Sequence, residues 1–411
     1  MKTSREELSS NNGRRTRILD CLIVLWVFSG AIMHLILYVL NRQSSSGQLA
    51  TLYVIVAVLS SMLLFKYGRR RVPKSSLYIL AVLIVIAISF TITGSRYGSN
   101  ALYRSEYRAC LAMLFCTFLI AMLVTWSKKT DIDLRLVFLI SIGLSLVSFL
   151  ALINGDSITS GGYVKDSSGL IYQNISYYSA YAMGLTVFHA LETRRKASLS
   201  RIQTIGYIAL ILLQGFTSFT SGGRGGVVLA LILLGYGVVL MFGFRKVYKL
   251  LLPIIIVVLS IRYVFPRVIN SFEIRVSGLT RVLSLFSGGA SDAGRISLYG
   301  KAMEVFSTNP VFGCGIGSVF FYLNAYSHNL FTDVLVETGV VGLLGIILGL
   351  IVFLRKLMLV YNTGSLYRFL TIVFICGFSY NLFSGYLWAN QLLWFPIVTV
   401  LMAPKARTET E

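Results

Sequence analysis

Windows of about 20 predominantly apolar residues recur along this 411-residue chain, and they constrain its fold more than any other feature. A helix of that length crosses a hydrocarbon core of about 30 Å with its backbone hydrogen bonds satisfied internally. Hydrophobic residues make up 56% of the chain and charged residues 13%, which excludes an ordinary soluble globular protein. The sequence predicts an all-α polytopic membrane protein with about twelve transmembrane helices. The predicted spans are 18–40, 49–67, 75–93, 109–127, 134–154, 171–191, 202–220, 224–244, 248–265, 328–354, 368–386 and 389–403.

Lysine and arginine residues alternate between the two sides of this arrangement. About two thirds of the 37 basic residues fall on the terminal segments and the even-numbered connections, which share one side. Because basic loops stay in the cytoplasm, both termini are expected there, and topology explains most of the net charge of +21 without a nucleic acid partner. The predicted organisation is nine transmembrane helices (1–265), a long outer loop subdomain (266–327), and three further transmembrane helices with a cytoplasmic tail (328–411).

Several arginines fall on the outer side, against the orientation bias. Arg224 follows the seventh span, and Arg275, Arg281 and Arg295 lie in the long loop. Any one of them is equally well explained by contact with lipid headgroups or aromatic rings. As a set they indicate an anionic ligand at the outer leaflet, because guanidinium groups bind phosphate oxygens in a bidentate manner.

Arg224 stands in the glycine-rich sequence TSGGRGG (220–226), directly before the eighth span. The glycines allow a tight turn and the close approach of a bulky ligand, while the N–H groups that begin the next helix favour an anion. The turn is therefore a candidate phosphate cradle. A plain hairpin turn between two helices is the alternative, and the GK[ST] ending of a P-loop is missing.

Residues 326–339 read YSHNLFTDVLVETG and place three ionisable groups at the start of the tenth span. Of the three histidines, only His328 faces outward, where it can exchange a proton near neutral pH or, alternatively, cap the helix. Asp333 and Glu337 are four residues apart and share one helix face. Carboxylates at this depth are unfavourable unless they are paired. We expect one of them to hold an outer-loop arginine in place.

Two predicted spans are unusually polar. The sixth contains YQNISYYSAY (172–181), with Tyr177 and Tyr181, and the eleventh continues as FSYNLFSGYLWANQ (378–391). Aromatic and amide side chains suit sugars, but hydrogen bonds between helices and an aromatic belt explain them equally well.

Several chemistries find no support in the sequence. The DID sequence at 131–133 resembles a metal-binding DxD motif but lies on a short predicted cytoplasmic turn with no catalytic domain around it. No Cys/His group has zinc-ligand spacing, and the sequence has no Walker motif or nucleotide-binding pattern. We expect no metal and no cofactor, so that a donor substrate must arrive already activated.

The segment 294–342 carries a dense pattern, in which an Arg and a helix precede F-x-x-NP-x-x-G-x-G, HN and E-x-G-x-x-G. Together with TSGGRGG, this segment resembles the signature region of the O-antigen polymerase and ligase superfamily. The residues that carry the resemblance outside the turn are Arg295, Asn309, Pro310, Gly313, Gly315, His328, Asn329, Glu337, Gly339 and Gly342.

The resemblance implies glycosyl transfer on the outer side of the cytoplasmic (inner) membrane, with a glycan on undecaprenyl pyrophosphate as the donor. Carried over by position, Arg224 and Arg295 would bind the pyrophosphate leaving group, and His328 would be the base for the acceptor hydroxyl. The further substrate-binding candidates are Arg275, Arg281, Asn329, Asp333, Glu337, Tyr177 and Tyr181. The expected partners are the lipid-linked glycan, membrane lipid and a chain-length regulator.

Two departures from the ligase pattern concern the branch of the superfamily. Leu330 stands two residues after His328, where ligases have Asn, Ser or Gln, and the next glycine is displaced by one residue. These departures favour a polymerase of O-antigen, capsular or exopolysaccharide type, which joins lipid-linked repeat units. The alternatives are an O-antigen ligase, which transfers the glycan to lipid A core, and a flippase for lipid-linked oligosaccharides.

Overall fold

The structure, a computed structural model, describes residues 17–39, 46–67, 74–97, 101–154, 172–243 and 293–404. Within these ranges all regular elements are helical and no strand occurs, which confirms the all-α fold class. Two short 3₁₀ turns, Tyr361–Thr363 and Leu387–Ala389, lie near the C-terminal end. The helices are α1 (17–27), α2 (Ser29–Val39), α3 (Ser46–Tyr67), α4 (Lys74–Tyr97), α5 (Ala101–Trp126), α6 (Leu134–Asn154), α7 (Tyr172–Lys196), α8 (Arg201–Thr220), α9 (Arg224–Phe242), α10 (Ala293–Thr308), α11 (Val319–Tyr322), α12 (Leu330–Val360), α13 (Ser365–Phe383) and α14 (Gln391–Met402).

Seven helical segments in the described ranges are long and apolar enough to cross a membrane, judged by length and composition. The chain is therefore a multi-pass membrane protein. The count of twelve spans and the position of the long loop remain predictions, and the ninth predicted span (248–265) lies outside the described residues. The seven candidates are Lys74–Tyr97, Glu106–Trp126, Leu134–Ile153, Arg201–Thr220, Arg224–Met241, Leu330–Thr363 and Ser365–Phe383.

α7 covers the sixth predicted span but is not one of the seven candidates, because it is rich in polar residues. It packs against α6, α8 and α9, and its hydroxyl groups are buried there. Ser179 Oγ donates to the Gln214 carbonyl of α8 at 2.7 Å. The Gln214 amide donates to Thr186 Oγ1 of α7 at 2.9 Å and to Ser145 Oγ of α6 at 2.7 Å. Hydrogen bonding between helices therefore accounts for these polar side chains.

The chain divides into two compact units. The first contains α1, α3–α5 and α10–α14, and the second contains α2 and α6–α9. Arg295 and His328 thus belong to the first unit, and Arg224 belongs to the second. The predicted division into residues 1–265, 266–327 and 328–411 concerns membrane topology and remains a prediction.

The connection between α5 and α6 fixes the start of α13. Asp131 Oδ1 accepts hydrogen bonds from the backbone N–H and the hydroxyl of Ser365, both at 3.0 Å. The Leu366 N–H donates to the Thr130 carbonyl at 2.9 Å. The first aspartate of the DID sequence therefore has a structural role at the beginning of a helix.

Candidate active site

α12 is broken at Gly339, which has a φ of 63° and a ψ of −164°. In an unbroken helix, the N–H groups of Val340 and Val341 would donate to the carbonyls of Val336 and Glu337. Here the insertion loop (residues 309–318), which precedes α11, pairs with both sides of the gap, as irregular backbone in an apolar segment requires. Its hydrogen bonds are Cys314 N–H to Val336 O (2.9 Å), Gly315 N–H to Glu337 O (2.8 Å), Val340 N–H to Pro310 O (2.9 Å) and Val341 N–H to Val311 O (3.1 Å).

Glycines make this insertion possible. Gly313 has a φ of 68°, and a Cβ atom there would lie 2.4 Å from the carbonyl carbon of Glu337. A Cβ atom on Gly339 would lie 2.4 Å from the carbonyl oxygen of Val311. Any larger side chain would push the insertion loop out of the gap. The N-P-x-x-G-x-G and E-x-G patterns of the sequence are thus two halves of one structural element.

Glu337 joins three segments of the first unit, although its side chain is fully buried. Oε1 accepts hydrogen bonds from the Gly317 N–H and the Tyr386 hydroxyl, both at 2.8 Å. Oε2 accepts a hydrogen bond from the Trp388 indole N–H. These donors belong to the insertion loop and to the connection between α13 and α14. Hydrogen bonding to another helix therefore accounts for Tyr386 and Trp388, two of the aromatic residues in the predicted polar segment 378–391.

Asp333, one turn before Glu337, is also fully buried. Its Oδ1 accepts a hydrogen bond from the Ser327 N–H at 2.7 Å. Neither carboxylate forms an ion pair with an arginine within the described ranges. Arg275 and Arg281 lie outside these ranges, and their pairing with a carboxylate or a substrate remains a prediction.

Asn329 is the N-cap of α12. Its Oδ1 accepts hydrogen bonds from the backbone N–H groups of Phe331 at 3.0 Å and Thr332 at 3.3 Å. On the other side, the Ser327 hydroxyl donates to the Asn329 carbonyl at 3.1 Å. Asn329 therefore has a structural role at the helix start, and its predicted contact with substrate is not tested by these bonds.

His328 lies two residues before the candidate span Leu330–Thr363 and has a φ of 59°, which residues other than glycine seldom adopt. Its half-buried ring packs edge-to-face on Tyr326, with ring centroids 4.5 Å apart. Nδ1 is buried and has no hydrogen-bond partner among the residues that the structure describes. Because Asn329 caps the helix, His328 is not needed as the cap. Backbone strain and an unsatisfied ring nitrogen are more typical of a functional residue.

Arg295 lies in the first turn of α10, which packs against α12. Burial lowers the pKa of His328 below its ordinary value of 6.5, a hydrogen bond with the Ser384 backbone opposes this shift, and the charge of Arg295 lowers the pKa further. Arg295 is therefore within electrostatic reach of His328. At neutral pH the imidazole is unprotonated and can accept a proton.

Residues 208–347 match a family model described as O-antigen ligase. The match relates this segment of the chain to the O-antigen ligase and polymerase superfamily. The match extends from α8 into α12 and covers about a third of the chain, including the TSGGRGG turn and the insertion loop. Comparisons with curated proteins and with solved structures find no match. The match supports a polysaccharide-related ligase or polymerase role, and the matched family implies a lipid-linked glycan substrate.

The half-buried Arg224 lies within the matched segment and is the first residue of α9. Gly222 has a φ of 95°, as the predicted tight turn requires. A Cβ atom would lie 2.6 Å from the Ser176 side chain if placed on Gly223, and 2.1 Å from it if placed on Gly226. Ser176 Oγ also donates to the Gly223 carbonyl at 2.8 Å. The prediction that these two glycines admit a bulky ligand is wrong, because α7 occupies the space beside them.

Tyr177 and Tyr181 lie inside the second unit, 1% and 4% exposed, with ring centroids 6.1 Å apart. Contact with a glycan would require an opening in the packing around α7, and their role in substrate binding remains a prediction. The convergence of Arg224 with Arg295 and His328 is also untested, because the residues belong to different units.

The sequence does not single out the aromatic residues that surround His328. Tyr326 packs on His328, and Tyr386 packs on Tyr326 and Phe320 with ring centroids 5.9 Å and 4.8 Å apart. The polarity of the predicted segment 378–391 is the signal that points to Tyr386. No signal separates Tyr326 from the rest of the 23 tyrosines.

Proposed function

We propose that the protein is a polysaccharide polymerase that joins undecaprenyl-pyrophosphate-linked oligosaccharide repeat units on the outer side of the cytoplasmic membrane. The observation that carries the proposal is the strained, half-buried His328 before α12, inside the segment that matches the family, with Arg295 in the helix that packs against α12. The proposal places both termini in the cytoplasm, as the distribution of basic residues favours.

The reaction requires one proton acceptor and a stabilised leaving group. A hydroxyl of the acceptor glycan attacks the anomeric carbon of the donor, the bond from that carbon to the pyrophosphate oxygen breaks, and undecaprenyl pyrophosphate leaves. His328 takes the hydroxyl proton, because its lowered pKa keeps the imidazole neutral. The guanidinium groups of Arg295 and Arg224 stabilise the charge that develops on the pyrophosphate, so the reaction proceeds without a metal ion.

Leu330 favours a polymerase over a ligase. It is the first residue of α12 and only 3% exposed, so the position at which ligases present a polar side chain belongs here to the apolar packing. An O-antigen ligase, which uses the same donor and transfers the glycan to lipid A core, is the second candidate. A chain-length regulator is the expected partner of the polymerase.

Purified protein and a defined undecaprenyl-pyrophosphate repeat unit provide the direct test. A polymerase produces a ladder of chain lengths on a gel from this substrate alone. A ligase produces a longer product only when lipid A core is added, and a flippase produces none under either condition. Folded protein that gives no longer product with or without lipid A core would falsify the assignment of glycosyl transfer.

Three substitutions test the proposed residue roles in the same assay. Arg224→Lys and Arg295→Lys should each lose most of the activity, because a point charge does not replace a bidentate guanidinium group. His328→Ala should lower kcat by about a hundredfold or more, the usual contribution of a general base. Arg201→Lys, at the exposed start of α8, is the matched control. Wild-type chain length in both Arg224→Lys and Arg295→Lys would contradict the pyrophosphate site.

A further inference from the structure

We propose that Asp333 and Glu337 are positioning residues that hold His328 in the orientation it needs to take the proton. The inference rests on the proposed function, in which His328 is the base. Both carboxylates are fully buried and lie on the same face of α12, one turn apart. They act on His328 by two routes, Asp333 through the backbone and Glu337 through packed aromatic rings.

Asp333 fixes the backbone immediately before His328. Its Oδ1 accepts a hydrogen bond from the Ser327 N–H at 2.7 Å, and the Ser327 hydroxyl donates to the Asn329 carbonyl at 3.1 Å. His328 is therefore held between two bonded neighbours, in a left-handed conformation that persists only where the surroundings determine it. Oδ2 of Asp333 has no hydrogen-bond partner in the part of the chain that the structure describes, so a single oxygen makes this contact.

Glu337 fixes the aromatic surroundings of the His328 ring. Its carboxylate accepts hydrogen bonds from the Tyr386 hydroxyl and the Trp388 indole N–H, and these hold the connection between α13 and α14 against α12. The Tyr386 ring packs on Tyr326 at 5.9 Å between centroids, and Tyr326 packs on the imidazole at 4.5 Å. A displacement of Tyr386 is therefore transmitted to the ring of His328 through one intervening residue.

Stability alone is a weak reason for these two carboxylates. Buried charges at the start of an apolar helix are unfavourable, and well-packed apolar residues often replace buried ionic groups without loss of stability. Within the described ranges, the donors that meet Asp333 and Glu337 are neutral groups, and each carboxylate has one contact that leads towards His328, from the adjoining Ser327 to Asp333 and from Tyr386, which packs on Tyr326, to Glu337. Control of the imidazole orientation accounts for both positions at once.

Amide variants should give opposite results at the two positions. Asp333→Ala should lower kcat by at least about tenfold. In Asp333→Asn the remaining oxygen still accepts the Ser327 N–H, so this variant should retain most of the kcat that Asp333→Ala loses. In Glu337→Gln the new NH₂ group meets the Trp388 N–H, which brings two donors together. Here kcat should fall about a hundredfold, while KM for the lipid-linked donor changes less than about threefold.

A second substitution tests the contact itself. Adding Trp388→Phe to Glu337→Gln removes the opposing donor and should restore kcat by at least about tenfold, with Trp388→Phe alone as the reference. The unfolding midpoint and the amount of protein in the membrane are measured for every variant. Recovery of the unfolding midpoint without recovery of kcat would overturn the proposal, because the carboxylate would then be only structural.

The outcomes separate this proposal from the assignment of the base. Normal polymerisation by His328→Ala refutes the base, whatever the carboxylate variants do. The positioning role alone is refuted if His328→Ala is inactive while Glu337→Gln keeps wild-type kcat. It is also refuted if His328→Ala is inactive while Asp333→Asn and Asp333→Ala lose kcat equally. If Glu337→Gln does not accumulate, Tyr386→Phe deletes one donor and keeps the ring. An unchanged kcat in Tyr386→Phe overturns the proposal, and a fall of at least about threefold supports it.

Discussion

Replacement of Gly339 by alanine tests the broken helix directly. Gly339 has a φ of 63° and a ψ of −164°, a region almost restricted to glycine that costs other residues about 1–3 kcal/mol. The added methyl group would also lie 2.4 Å from the Val311 carbonyl oxygen and 2.7 Å from the Gly313 nitrogen. The insertion loop must therefore move to accommodate it.

Movement of the insertion loop weakens the backbone hydrogen bonds that bridge the break. Each such bond contributes about 1 kcal/mol net, and a buried group left without a partner costs about 1–3 kcal/mol. Strain together with the loss of about two of these bonds gives an expected decrease of about 3–5 kcal/mol in the free energy of unfolding of Gly339→Ala.

A reversible denaturant titration in detergent micelles measures this free energy of unfolding. Gly345→Ala is the matched control, because it lies on the same helix and its Cβ atom would have nothing within 4 Å. The control should be neutral or more stable by up to about 1 kcal/mol, as for an exposed helical glycine. Equal unfolding free energies for Gly339→Ala and Gly345→Ala would refute the insertion of the loop into the helix.

Three further outcomes are expected. Gly226→Ala should lower the free energy of unfolding by about 2 kcal/mol, because its Cβ would lie 2.1 Å from Ser176 Oγ. Ser176→Gly should restore part of this loss, and Gly235→Ala, with nothing within 4 Å, should show none of it. Modification of His328 by diethyl pyrocarbonate, in protein without its other histidines, should titrate below 6.5, and Arg295→Gln should move the midpoint upward because a positive charge is removed. Since the pKa of His328 is lower in the folded than in the unfolded state, its contribution to stability is present above pH 6.5 and is lost as the pH falls through the folded-state pKa. A wild-type protein that loses no more stability than His328→Gln on acidification would contradict this.

Local composition predicts the helices well, because an apolar run of fixed length is a property of neighbouring residues. It predicts α7 less well as a membrane span. The hydroxyl groups of this helix are buried against α6 and α8, through bonds such as that from Ser179 to the Gln214 carbonyl. Hydropathy cannot distinguish a polar helix that faces its neighbours from one that lies outside a membrane.

The candidate site shows the same limit, because the sequence predicts local patterns but not the contacts between residues that are far apart in the chain. The pattern around His328 and Arg295 is recognisable in the sequence, and the helix that carries Arg295 packs against α12. The partner of Glu337 is not recognisable, because the Trp388 indole lies 51 residues further along the chain. An arginine is the usual expectation for a carboxylate in an apolar segment, whereas three neutral donors from two other segments fulfil the need here.

The glycines of TSGGRGG illustrate a related difficulty. A glycine indicates that another group approaches the backbone closely, but it does not indicate whether that group is a ligand or another helix. At Gly226 the approaching group is Ser176, which lies far away in the sequence. Only the packing of α7 decides between these interpretations.

Four hydrogen bonds join the insertion loop to α12 across the break at Gly339, so the two segments can be exchanged with a relative only together. Each completes the backbone pairing of the other, so neither can be exchanged with a relative alone without exposing polar groups to hydrocarbon. A chimera that transfers residues 309–342 together should insert and fold, whereas one that divides this stretch between two parents should fail during assembly.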